Sequence, residues 1–453
     1  MKIHPSLYFD GFIPEHTNIF TLNFNSYIFS KRFMLKQVIK NKPFQNFIFI
    51  SLYQGVNFVA LIVFIPFLTK TIGVEKFGIV TVMQAICSFF YVLVDYGFSV
   101  TSVRNISVNR ENSLRLNSIV KNTIVVKVLL LIIAIPLFLI IAFFFFKDKY
   151  DFSFVALSFI AIIGQAAFPT WLCQGLEKNE IAFFANLLSK FLLGLCTYLF
   201  IIKDDDYIYY LFLMGGANFI IGVLLTFYVI KYYLRIHLNF RFYLNEIIDE
   251  LNAGKEVFFS NLSISIYTSL NILILSLFVS PFTIGLYGIA EKIMTLLRTL
   301  LSVFVMAIYP FVCKLIYKKT LRNVFYQVLI VTVPFNVMIF FLCGVMAYFS
   351  NIIASFFSDG DINELSAILK KISFLPFLVS LNTVPNLIIL AYNKEKIKSY
   401  ILLFSTLMSL LLSFLLVPHF KIIGTIYVMY IIEALIAFAS IYYLRKLINR
   451  ENL

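Results

Sequence analysis

Five ionisable side chains stand deep inside long apolar stretches of this chain: Lys190, Glu291, Lys292, Arg298 and Glu433. Asp95 lies nearer the end of its own stretch. A charge at mid-bilayer costs roughly 2.5 kcal/mol or more, so it persists where it faces a cavity, a partner or a ligand. Lys190, Lys292 and Arg298 suit an anionic head group such as a diphosphate, since arginine forks around phosphate and lysine meets it as a point charge. Glu291, Glu433 and Asp95 suit a coupling ion, H+ or Na+. The competing possibility is plain neutralisation, for example of Glu291 by Lys292. Glu291 and Arg298 are seven residues apart and share a helix face two turns apart, so both can line one cavity. Asn57 and Asn271 add neutral hydrogen-bonding groups to the same expected cavity. Lys127, Arg104 and Glu256 fall close enough to the ends of their runs to snorkel to the interface.

Other chemistries find no support. The five cysteines (Cys87, Cys173, Cys196, Cys313, Cys343) show no CxxC spacing, and the four histidines no HExxH. They read as small apolar side chains and scattered polar ones, not as disulfides or metal ligands. There is no phosphate-binding glycine loop and no GxSxG elbow, so neither a cofactor nor an enzymatic reaction is expected.

The elements that must position these charges are membrane helices. Twelve runs of about twenty apolar residues match a hydrocarbon core of about 30 Å at 1.5 Å per residue. They are 44–69, 78–101, 123–146, 152–172, 181–202, 207–230, 256–279, 284–312, 324–349, 367–391, 399–417 and 422–444. Charged residues are only 13% and mean hydropathy is +0.91, against about 25% charged in soluble domains. The net charge of +14 is then read as loop charge facing anionic lipid, not as a nucleic-acid surface. The amino-terminal segment, the even-numbered gaps and the tail hold 25 of the 37 Lys and Arg, and the odd-numbered gaps hold 6. This bias places both termini in the cytoplasm. The odd gaps carry acidic groups instead, Asp204-Asp205-Asp206 among them.

The expected fold is therefore all-α and integral to the membrane, with twelve transmembrane helices in two six-helix halves of the same orientation. A cytoplasmic segment 1–43 precedes the first half, 44–230. A basic cytoplasmic linker, 231–255, joins it to the second half, 256–444, and residues 445–453 form a cytoplasmic tail. The halves show a faint repeat: Tyr53 and Asn57 match Tyr267 and Asn271, and Phe77-Gly78-Ile79 matches Tyr287-Gly288-Ile289. Such duplication is frequent in transporters that rock one half against the other. The residues before Met34 are polar-aromatic without helical period; either translation starts at Met34 or they form an amphipathic arm. Prolines such as Pro66, Pro136, Pro169 and Pro334 are placed to kink their spans.

An ordered set of residues resembles a known family. Asn46, Gln54, Asn57, Pro66, Gly73, Phe77-Gly78 and Asp95-Tyr96-Gly97-Phe98 are similar to the first two spans of Wzx-type O-antigen flippases, the polysaccharide-export branch of the MOP (MATE-like) transporters. Trp171-Leu-Cys-Gln-Gly-Leu-Glu177 and Ile284-Gly-Leu-Tyr287 with Ala290-Glu291-Lys292 resemble later elements. The resemblance covers about residues 35–445; Cys173 departs from it, as does the extension before Met34. It implies translocation of an undecaprenyl-diphosphate-linked oligosaccharide across a bacterial inner membrane by alternating access, driven by an ion gradient through a cationic cavity. It also implies a polymerase and a chain-length regulator as partners. The alternative transporter is a MATE-type drug/cation antiporter, whose cavity should be acidic or aromatic rather than cationic. A lipid II flippase would have fourteen spans. A membrane polymerase or glycosyltransferase should carry a large arginine-rich outward loop, and the gap 350–366 has no arginine.

Overall fold

Apolar runs in lipid have no water to satisfy their backbone groups, so they close their hydrogen bonds within the segment as helices. The structure, a computed structural model, describes residues 42–146, 151–234, 244–316, 320–358, 360–392 and 394–451. The segment before residue 42, with the expected start at Met34, lies outside them, as does part of the 231–255 linker. Among the described residues every regular element is helical. Eleven helical segments are long and apolar enough to cross a membrane.

In chain order the helices that position the polar residues are α1 (Lys42–Thr71), α2 (Gly73–Asp95), α3 (Phe98–Val108), α4 (Ser113–Phe146), α5 (Phe152–Ala167), α6 (Thr170–Gly175), α7 (Asn179–Phe200), α8 (Tyr207–Val229), α9 (Leu244–Leu275) and α10 (Pro281–Ile316). They are followed by α11 (Leu321–Tyr348), α12 (Ser350–Phe357), α13 (Ile362–Ile372), α14 (Leu375–Leu381), α15 (Thr383–Ala391) and α16 (Glu395–Glu451). The last is 57 residues long and broken at Lys421, whose backbone sits at φ 50, ψ −127. At 1.5 Å per residue it is far longer than one bilayer crossing needs, and the break divides the eleventh from the twelfth apolar run.

Three other runs are interrupted. The second breaks at Tyr96 and Gly97 (φ 46 and 87), immediately after Asp95. A Cβ on Gly97 would stand 2.8 Å from that of Val257, so only glycine suits both its backbone and its neighbour. The fourth breaks at Pro169, between α5 and α6, and the tenth divides into α13, α14 and α15.

From Phe49 onward the chain forms a single packed unit. Its main apolar cluster draws on residues from Ile65 to Met429, so sequence on both sides of the 231–255 linker builds one core. Two glycine crossings bring backbones together. A Cβ on Gly164 of α5 would overlap the Gly215 carbonyl of α8, and one on Gly78 of α2 would overlap the Pro281 carbonyl of α10. Small residues allow this approach where no hydrophobic effect separates helix from lipid.

Connections that carry acidic groups gather at one end, where Lys76 lies 3.9 Å from Asp205 and Gly360 sits against Val74 and Phe282. The basic connections gather at the other, where Arg110 pairs with Glu177 at 2.8 Å and Lys396 lies 3.8 Å from Glu256. These are called the acidic and basic ends below.

Candidate functional site

Helix α10 carries the densest intramembrane chemistry. Its acidic-end half packs on α2 through the glycine crossing, which fixes the register of the residues that follow. One turn beyond Gly288, the Lys292 ammonium reaches α2 and donates to Gln84 Oε1 at 2.6 Å. The cation's direct hydrogen-bond partner is therefore a neutral amide, and the Glu291 carboxylate beside it in the chain acts on it through space. Further along the same interface the hydroxyls of Ser88 (α2) and Ser269 (α9) are 3.1 Å apart. Toward the basic end the face of α10 continues as Glu291, Thr295, Thr299 and Ser302; Thr295 and Ser302 are exposed. Thr295 donates to the Glu291 carbonyl at 2.9 Å and to its carboxylate at 3.3 Å. A half-buried carboxylate and exposed hydroxyls within a span are tolerated toward a water-filled cavity, not toward acyl chains.

Arg298 turns to α16. Its guanidinium lies 3.5 Å from Glu433, with the two side chains 18% and 6% exposed. They enclose a void of about 10 Å³ with Thr268, Asn271 and Ser409, about the volume one water occupies. Arg298 Nε is buried without a partner, and Asn271 Oδ1 accepts from Ser413 at 3.2 Å.

Asn57 lies elsewhere, on α1. It accepts from Asn186 of α7 at 3.2 Å, and Asn186 also donates to the Tyr53 carbonyl at 3.3 Å. Ser189, three residues on, donates to Asn218 of α8 at 2.7 Å. Lys190 is next to this polar seam but looks the other way. It lines a crevice of about 840 Å³ between α1 and α7 whose other walls include Val56, Val59, Phe64, Leu187 and Phe191. Among the described residues it makes no ion pair. The expected single cavity shared by Lys190, Lys292 and Arg298 is thus resolved into three settings. They are an apolar crevice, a contact between α10 and α2, and an ion pair with α16.

Lys127, paired with Asp95, corrects the sequence reading. Lys127 Nζ lies 2.9 Å from Asp95 Oδ1, and both side chains are only 7% exposed. Lys127 therefore does not snorkel. Helix α4 begins at Ser113, ten residues before the apolar run, so Lys127 sits about four turns inside it, 5.8 Å from the centre of the Trp171 ring. Asp95, held by this cation and by the Ser99 N–H at 3.4 Å, is an anchor for the break between α2 and α3. Removing one partner leaves a buried charge without compensation, a loss of about 3–5 kcal/mol. Lys127→Ala is expected to lower the melting temperature of the purified protein sharply, and Asp95→Asn with Lys127→Met to recover most of it. Equal melting temperatures for single and double variants would contradict the pairing.

Among the described residues no three His, Cys, Asp or Glu side chains converge to hold a metal ion.

Comparison with known proteins follows the same lines. The profile of the family described as polysaccharide biosynthesis protein matches residues 44–316. The chain is 26% identical over 415 residues to a "Putative O-antigen transporter" of Escherichia coli (strain K12), across 89% of this chain and 96% of the relative. It is 25% identical over 396 residues to the protein of the same description in Shigella dysenteriae, across 86% and 97%. Among solved structures it is similar to an inward-facing multidrug resistance MATE family transporter of the MOP superfamily (TM-score 0.69, 15% identity, 89% of this chain and 95% of that one). It is also similar to the lipid II flippase MurJ in an inward closed conformation (TM-score 0.66, 15% identity, 87% of each chain).

Proposed function

Because the chain belongs to the polysaccharide biosynthesis protein family and has the fold of the MATE transporters, we propose that it flips an undecaprenyl-diphosphate-linked oligosaccharide across the bacterial inner membrane. Its relatives are transporters over nearly their whole length, and it is a multi-pass membrane transporter rather than an enzyme. The substrate is an O-antigen or similar repeat unit, moved from the cytoplasmic to the periplasmic leaflet.

The observation that carries this reading is the Lys292–Gln84 contact. The direct partner of the ammonium is an amide, while the neighbouring Glu291 carboxylate interacts with it through space and is itself engaged by Thr295; a phosphate oxygen arriving beside Lys292 would add a charged acceptor. The basic end is cytoplasmic, both termini lie on that side, and residues 44–230 and 256–444 rock about the α2–α10 and α2–α9 contacts. Lys190, unpaired in the α1–α7 crevice, is a second contact for the carrier. The test is complementation: in a strain lacking its own O-antigen transporter, this chain should restore surface glycan. Failure to do so with several repeat-unit types, together with conferred drug resistance, would favour the antiporter.

The coupling station is Glu433. It is buried, faces Arg298, and borders a void the size of one water, which suits release of Arg298 as a proton or Na+ arrives. Glu433→Gln is expected to leave binding of the lipid-linked glycan intact while flipping in proteoliposomes no longer responds to an imposed ion gradient. A gradient response equal to wild type would remove Glu433 from the coupling mechanism.

A further inference from the structure

At the acidic end, away from Lys292 and Arg298, a cavity of about 830 Å³ lies between the α9–α10 connection, α13 and the break in α16. Its size is that of an ordinary small-ligand site. Helix α13, capped by Asp361, presents Glu364, Ala367, Ile368 and Lys371 to it, a single helix face at i, i+3, i+4 and i+7. Ile368, Ile422 and Ile426 are buried and form its floor, while Leu277, Phe420 and Ile423 are exposed at its mouth. The rim holds Lys371, Lys421 and the half-buried Glu364. Neither lysine lies within ion-pair range of a carboxylate among the described residues. Lys421 occupies its place at φ 50, ψ −127, a conformation that is costly for any residue except glycine. The fold keeps a lysine where glycine would relieve the backbone.

The geometry points to a binding site for the head group of a phosphodiester lipid. Two unpaired ammonium groups beside one carboxylate leave a net single positive charge, the complement of a phosphodiester monoanion. Glu364 is placed to accept from a head-group hydroxyl or ammonium. The exposed apolar mouth lets acyl chains leave along Phe420 and Leu277 into the bilayer, with the polar group held at the interface. A polyprenyl diphosphate carries more negative charge and would meet Glu364 unfavourably, so membrane phospholipid is the occupant this chemistry favours. The site does not depend on the transport reading: its lining would hold a phospholipid irrespective of what the chain transports.

The experiment titrates the purified full-length chain with phosphatidylethanolamine, phosphatidylglycerol and undecaprenyl phosphate and counts bound lipids by native mass spectrometry. The expected result is one tightly held phospholipid, its affinity reduced at least tenfold by Lys371→Gln combined with Lys421→Gly. Lys421→Gly removes the charge while relieving the backbone, so folding is preserved, and Lys371→Gln alone on the far wall should give an intermediate loss. Unchanged phospholipid binding in the double variant would overturn the assignment. Tighter binding of undecaprenyl phosphate than of either phospholipid, lost in the double variant, would overturn it in favour of a carrier site.

Discussion

Replacing Lys292 with alanine is expected to lower surface glycan about ten- to hundredfold, with the protein still present in the membrane. The magnitude follows from the interaction removed. Hydrogen bonds to charged groups contribute about 1.5–3 kcal/mol, and every 1.4 kcal/mol is about tenfold. Lys292 donates to Gln84 at 2.6 Å, so alanine removes both a charge and a link between α10 and α2. Two further variants separate these roles. Lys292→Gln keeps a donor for Gln84 but no charge, and should fail nearly as badly as alanine. Lys292→Arg keeps the charge in a broader, forked head, and should retain part of the export. If glutamine performed as well as lysine, the contact would be structural and the phosphate role would fall. Accumulation of lipid-linked repeat unit in the cytoplasmic leaflet is the matching readout, since a failed flippase leaves its substrate where it was made. A cation antiporter predicts no such loss: removing a positive charge from its cavity should not weaken transport.

Much of the architecture was legible because the bilayer imposes a length. The runs at 78–101 and 123–146 fall within the helical segments Gly73–Val108 and Ser113–Phe146. Less legible was where helices continue past the hydrocarbon. Helix α4 starts ten residues before its apolar run because polar residues extend a helix into water as readily as apolar ones carry it through lipid. That continuation hid the Asp95–Lys127 pair, 32 residues apart in sequence and joined only by packing. The stripe Glu291, Thr295, Thr299, Ser302 was readable from its spacing alone. Its threonines and serine carry no distinct signal because hydroxyls also back-bond within apolar helices. The partner of Arg298 and the setting of Lys190 were not readable at all. Which neighbour a span faces is set by close approaches such as Gly78 on Pro281, and hydropathy carries no record of them.

That same approach yields the second large effect. Helices α2 and α10 close the acidic end through Gly78 and Gly285. A Cβ on Gly78 would overlap the Pro281 carbonyl oxygen and stand 2.8 Å from the Gly285 nitrogen, and one on Gly285 would overlap the Val74 carbonyl. The obstructing atoms are backbone, which cannot rotate aside. Overpacking of this kind costs about 1–3 kcal/mol. It falls only on the conformation in which the two helices touch, so it acts as a differential term, about 5- to 150-fold in a two-state balance. On the proposed alternating-access cycle this contact would form and break each time. Gly78→Val is therefore expected to hold the acidic end open and to reduce export by a comparable factor. A cysteine at Thr81, which is buried and packs on Gly288 in the closed contact, should then react with a water-soluble maleimide much faster in the Gly78→Val protein than in its parent. Gly344 has no atom within 4 Å of an added Cβ, so Gly344→Val supplies the matched control and should change neither export nor labelling. Loss of export with unchanged labelling would mean that the valine disrupts folding, and rapid labelling with full export would mean that closure of this end is dispensable. Only the joint change, slow export with an open acidic end, fits a transporter whose cycle turns on the α2–α10 crossing.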